Sequence, residues 1–210
     1  MTYSLLAARA VIGAAALALI TLAVLHVVRP DLNPSSTMIS QYARGPHGWA
    51  MGLCFAAFAA GSACLFALLV THMPPLVGRI GLAFLLAASV GFAMAAIFPM
   101  DPVSTPPVQM SFSGKMHGVS FLLGVPAFLL AALLLSLALS RQASHASLPL
   151  LALTTVIGLS LAVVIAIMLI VGPGKPPDPA GLERFLGWPN RLGMVAYGVW
   201  LMVVAWPLAR

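Results

Sequence analysis

Asp101, Ser113 and His117 are the residues whose types and spacing come nearest to a reacting set. Ser113 lies four residues before His117, on the same face once a helical turn forms. An Asp beside a His can orient a proton acceptor. Together the three predict proton-transfer or hydrolytic chemistry at one end of a helical bundle. A second set is cationic. Arg44, Lys115 and Arg191 each stand where an apolar helix is about to begin, and a helix N-terminus carries partial positive charge and unpaired N–H groups. Three such ends predict a receiver for phosphate or carboxylate, with Tyr42, Asn190 and Arg184 as further ligand-binding residues. The third set is His26, His47 and His117, three imidazoles for zinc, with Asp31 or Asp101 as a fourth ligand. The sequence holds no His-x-x-x-His or His-Glu-x-x-His pair to reinforce it. Zinc is the one cofactor these residues admit, and the binding reading needs none.

Each set has a plainer alternative. Ser111 or Ser113 can cap a helix, cations at a membrane boundary snorkel to lipid phosphates, and histidines sit amphipathically in an interface. A haem needs two facing histidines at one depth inside a bundle, whereas His26, His47, His72, His117 and His145 fall at helix ends or in loops.

The elements that position these residues are membrane spans. The 210 residues are 61% hydrophobic and 7% charged, with mean hydropathy +1.07; soluble domains carry about 25% charged residues. That excludes a soluble globular domain, intrinsic disorder, a disulfide-stapled scaffold and a nucleic-acid binder. The net charge of +6 comes from ten scattered Lys and Arg against four acids, a pattern of membrane boundaries rather than of DNA contacts. Six stretches are apolar and long enough to cross a bilayer: 10–28, 49–70, 80–98, 118–139, 148–171 and 192–208, none with Asp, Glu, Lys or Arg. The expected fold is all-α, one integral membrane domain over residues 1–210, built as a six-helix bundle of three hairpins with longer outer loops at 29–48, 99–117 and 172–191. The first span is too long for a signal-peptide core and is expected to stay as an anchor. Cys54 and Cys64 lie about 15 Å apart along one helix, beyond disulfide reach. No charge lies at mid-membrane, where ion pathways need one.

The short loops and termini hold Arg9, Arg79, Arg141 and Arg210 without an acid. The long loops hold Arg29, Arg44, Lys115, Lys175, Arg184 and Arg191 beside Asp31, Asp101, Asp178 and Glu183. Basic count favours one orientation and net charge the other; the expectation adopted is both termini in the cytoplasm of a bacterial plasma (inner) membrane. The bacterial part rests on eight Arg against two Lys with abundant Ala and Pro. A faint repeat links the first two hairpins, since Asp31 and Asp101, and His47-Gly48 and His117-Gly118, are each offset by 70. Ala10, Ala14 and Ala18, and Gly158, Ala162 and Ala166, form small-residue ridges expected to pack helices within the chain or to seat a second copy. Pro126 is expected to kink the fourth span.

The loops carry a resemblance. Arg29-Pro30-Asp31, Ile39-Ser40-Gln41-Tyr42-Ala43 and Gly45-Pro46-His47-Gly48-Trp49 open it. Phe98-Pro99-Met100-Asp101-Pro102, Gly114-Lys115-Met116-His117-Gly118 and Gly181-Leu182-Glu183-Arg184 extend it. With these motifs the chain resembles a bacterial multi-pass family, the domain of unknown function 998. The resemblance implies six membrane helices and no particular activity. Three functional classes remain: binding of an anionic small molecule or lipid head group at the outer face, as a transporter-like or accessory protein; a membrane-embedded hydrolase using Asp101, Ser113 and His117, with or without zinc; and a purely structural assembly subunit. The expected partners are membrane lipids, a second copy or a membrane-complex partner, and no nucleic acid.

Overall fold

Hydrocarbon offers a backbone no hydrogen bonds, so an apolar chain crossing it must satisfy its amides internally, as a helix does. The computed structural model, which describes residues 2–71, 73, 76–141, 147–172 and 181–209, follows that rule. Six helices form: α1 (Thr2–Val28), α2 (Gly48–Leu69), α3 (Val77–Ile97), α4 (Phe112–Ser140), α5 (Ser147–Val171) and α6 (Gly187–Ala205). All six are long and apolar enough to cross a membrane, and no strand occurs among the described residues. The chain is a multi-pass membrane protein.

Hairpin partners α1–α2, α3–α4 and α5–α6 are neighbours, and contacts of α2 with α3, α4 with α5, and α6 with α1 close them into a ring. Residues 29–47, 98–111, 172 and 181–186 therefore gather at one end of the bundle, the long-loop end. Lys175, Asp178, His72, His145 and Arg210 lie outside the described residues.

Helix starts depart from the apolar runs where polar residues cap them. α4 begins at Phe112, six residues before its apolar run, because the Ser111 hydroxyl accepts from the Gly114 amide at 3.0 Å. That is N-capping, worth about 1 kcal/mol. α2 begins at Gly48 after His47 turns left-handed at φ 59°; a side chain at position 48 would collide with the Ala43 carbonyl. α4 runs through Pro126 as one helix.

Close packing comes from small residues, in part from the expected α1 ridge, where Gly61 of α2 faces Ala14 and Cys54 donates to the Ala18 carbonyl. At the α3–α4 crossing Gly91 and Gly124 lie backbone to backbone, and a Cβ on Gly91 would strike the Gly124 Cα. Ala162 and Ala166 of α5 are instead exposed, and α5 buries Leu150, Ile157, Val164 and Ile167. Of the α1 ridge, Ala18 is buried and Ala10 exposed. Bulk, more than small size, sets the α5 packing face. The core is an aromatic column in which Phe92 stacks on Phe58 at 5.3 Å and Tyr197 lies 4.9 Å from Phe128 and 5.9 Å from Trp200. Several hydroxyls in the spans are taken up within the bundle. Ser62, Thr154 and Thr155 donate to carbonyls four residues back, and Ser89 crosses to the Ala59 carbonyl. Thr154 also meets Ser136, clasping α5 to α4 on the side away from the long loops.

Candidate functional site

Three polar assemblies occupy the long-loop end. The first is built on Arg191, in the second turn of α6 and only 5% exposed. Its Nε donates to His26 Nε2, one Nη to the Thr37 and Gly187 carbonyls at 2.6 and 3.0 Å, and the other to Tyr42 Oη at 3.1 Å. The guanidinium also lies over the Tyr42 ring, 5.5 Å from its centre. His26 Nδ1 faces the Leu22 carbonyl at 2.6 Å. A carbonyl only accepts, so Nδ1 carries the proton and Nε2 is free to accept from Arg191. Asn190 Oδ1 accepts from the Ile39 amide at 2.8 Å. Gly187 completes the seam, because its amide donates to the Ser35 carbonyl at 2.8 Å and a side chain there would collide with the Pro34 carbonyl. Arg191 thus ties the 34–42 segment to α1 and α6.

The second assembly folds the start of the same loop. Arg29, also buried, grips Asp31 through two parallel hydrogen bonds of 2.9 and 2.8 Å, and donates to the Arg44 and Pro46 carbonyls at 2.6 and 3.0 Å. Hydrogen bonding to Asp31 raises the Arg29 pKa against the opposing effect of burial. The same bonds hold the Asp31 carboxyl below the ordinary carboxylate range. In the third, Asp101 accepts from the Ser111 amide at 2.7 Å and the Ser111 hydroxyl at 2.9 Å. Gly114 leaves the room for it, since a Cβ there would collide with the Asp101 carboxylate.

Beside these lies a cavity of about 500 Å³, within the 300–1,000 Å³ range of ligand pockets. Its deep walls are apolar residues of the spans: Phe55, Phe92, Val125, Ile167 and Met194. Its upper walls come from all three long loops, including Gln41, Asp101 and Glu183, with His117 and Asn190 at the helix starts. Val125 of α4 and Ile167 of α5 both line it, so the two helices clasped at Thr154 part around the cavity toward the long loops. A smaller void of about 30 Å³ adjoins it between α4, α5 and α6. His117 is fixed by its Nδ1 on the Phe98 carbonyl at 2.8 Å, with the Phe55 ring 6.3 Å away. Its Nε2 has no partner among the described residues, nor do the side chains of Gln41 and Glu183. Gly118 lines the cavity, and a Cβ built on it meets nothing within 4 Å.

The expected sets are drawn together only in part. Asp101 and His117 line one cavity, yet Asp101 is bound to Ser111 and His117 to the Phe98 carbonyl. Ser113 donates to the Pro99 carbonyl at 2.8 Å and does not line the cavity. The loop backbone takes the hydrogen bonds that a Ser–His–Asp relay would need. Among the cations, Arg44 and Lys115 are exposed while Arg191 is buried. Arg184 is exposed and lies over the Phe185 ring at 4.6 Å. None of the four lines the cavity. Tyr42 and Asn190 serve the Arg191 assembly. The three histidines separate too, because both His26 nitrogens are engaged and His47 is exposed. Among the described residues no group of three His, Cys, Asp or Glu is placed to hold a metal.

Residues that sequence reasoning passed over include Arg29, Gln41, Glu183 as a cavity residue, and Gly118. A glycine inside an apolar run was the available signal for the last.

No curated protein and no solved structure matches the chain. The family described as Protein of unknown function (DUF998) matches residues 11–207, and the chain belongs to that family.

Proposed function

We propose that this protein binds an amphipathic membrane lipid in the long-loop cavity, tail among the spans and head group among the loops. The observation that carries the reading is the cavity itself, about 500 Å³ with apolar span residues below and, above, polar groups that have no partner among the described residues. Apolar surface in such a pocket favours hydrocarbon, and the polar groups stand where a head group would reach the membrane boundary. The first expectation for this face, an anionic group gathered by Arg44, Lys115 and Arg191, finds no support in the lining. An accessory or transporter-like role follows from lipid binding without a reacting set.

In this reading the long-loop end faces outward from a plasma membrane, with both termini cytoplasmic. Single cysteines at Ser104 and Arg141, introduced after removal of Cys54 and Cys64, test that orientation. An impermeant thiol reagent should label position 104 in intact cells and spare 141; the reverse pattern overturns it.

The binding reading is tested by filling the cavity. Gly118→Phe projects a ring into open space without a backbone clash. Native mass spectrometry of the purified wild type should retain one lipid per chain, and the Gly118→Phe variant should lose it. Equal lipid retention by both would refute the reading.

A further inference from the structure

We infer that the cavity selects a lipid whose head group donates hydrogen bonds and carries positive charge, an ammonium in preference to an uncompensated anion; this rests on the lipid reading above. Charge sets the sign. Asp101 and Glu183 are the charged side chains lining the cavity, and among the described residues no Lys or Arg joins them. Arg44, Lys115 and Arg184 point their charge at exposed surface outside it, while the guanidinium of Arg191 is engaged by His26, Thr37, Gly187 and Tyr42. A bare anion entering here would face two carboxylates with no described cation to offset them, the arrangement that rejects a like-charged ligand.

Hydrogen-bond capacity points the same way. Glu183 is half-buried and without a partner among the described residues. Asp101 accepts two bonds from Ser111, yet a carboxylate has about four acceptor sites. His117 must carry its proton on Nδ1, because that nitrogen faces the Phe98 carbonyl, so the neutral ring offers Nε2 as an acceptor. Three acceptors at the upper wall of an apolar cavity match the three N–H donors of a primary ammonium. Asn190 complements them, since its Oδ1 is taken by the Ile39 amide and its NH₂ is left as a donor for a neighbouring ester or phosphate oxygen.

The experiment titrates the purified full chain, by native mass spectrometry, with phosphatidylethanolamine, phosphatidylcholine and phosphatidylglycerol of identical tails. Phosphatidylethanolamine should bind about tenfold more tightly than phosphatidylglycerol, the size of one charge-assisted contact. Phosphatidylcholine, a zwitterion whose quaternary ammonium is cationic but has no N–H donors, should fall between. Glu183→Gln, a near-isosteric change at a side chain without a partner among the described residues, should shrink the tenfold preference to about threefold. Equal or tighter binding of phosphatidylglycerol overturns the head-group inference. If Gly118→Phe abolishes binding of all three while they bind the wild type equally, the cavity holds lipid and the head-group inference alone fails. If Gly118→Phe changes nothing, the lipid reading itself falls.

Discussion

The Arg191 assembly and the cavity wall are neighbours at one end of the bundle, and they use polar residues in opposite ways. Around Arg191 most hydrogen-bonding capacity is spent: His26, Thr37, Gly187 and Tyr42 take four of its five N–H bonds, and the Asn190 carbonyl oxygen closes the Ile39 amide. Across the cavity, Gln41, Glu183 and His117 Nε2 keep capacity unused among the described residues. A buried polar group left without a partner costs about 1–3 kcal/mol, so closure in the first place reads as structure. Spare capacity beside an apolar cavity reads as a ligand's place. The two are mechanically joined, because Arg191 anchors the Thr37 carbonyl and residues 36, 38–41 line the cavity.

The comparison breaks most visibly at its closed side. Arg191→Gln removes the fork that reaches His26, Thr37 and Tyr42 together, leaving buried groups unpaired. We expect a loss of about 3 kcal/mol in stability, read as a large drop in melting temperature of the detergent-solubilised protein. A drop no greater than that of a surface substitution would show the assembly to be dispensable.

On the open side, Gly118→Phe should abolish lipid retention, a loss of at least tenfold in affinity or about 1.4 kcal/mol. The melting temperature in lipid-free detergent should hold or rise, since glycine costs a helix about 0.5–1 kcal/mol. Loss of both lipid and fold would mean the cavity is part of the packing.

Smaller effects come from the caps. Ser111→Ala removes the cap that also engages Asp101, and should cost about 1 kcal/mol without changing which lipid is bound. Smallest is the Arg29–Asp31 pair, whose carboxylate is largely exposed. Its folded pKa is depressed below an unfolded value of about 3.9. Its contribution is therefore full above that value and is lost as pH falls through the lower folded pKa. Thermal melts should be flat with respect to this pair between about pH 5 and 7 and decline below about pH 4. Asp31→Asn should remove part of that acid-side decline and leave the neutral range nearly unchanged.

The spans were legible because roughly 20 uncharged apolar residues have few alternatives to a membrane helix. Their long-loop ends were less so. α4 starts at Phe112 because Asp101, Ser111 and Gly114 interlock across ten residues of loop, a tertiary event no local pattern marks. The 70-residue offset between the two His-Gly pairs conceals different uses. His47 is an exposed left-handed residue before α2, and His117 lies inside α4 against the cavity. Arg29 and Arg44 look alike in sequence, each one or two residues before a Pro at a span's edge, yet one is buried on four hydrogen bonds and the other exposed. Which cation a loop folds around depends on carbonyls brought from elsewhere. The cavity was illegible for a related reason: it is space left between helices, and only Gly118 hinted at it.

The central claim, that hydrocarbon occupies the space between the long loops and the aromatic column, is tested most directly by a structure determined in nanodiscs of tail-brominated lipid. The account predicts a bromine peak in the cavity, between Phe92, Val125 and Met194. A cavity that contains only water, or that has closed by side-chain repacking while bromine peaks appear only around the bundle perimeter, would contradict it.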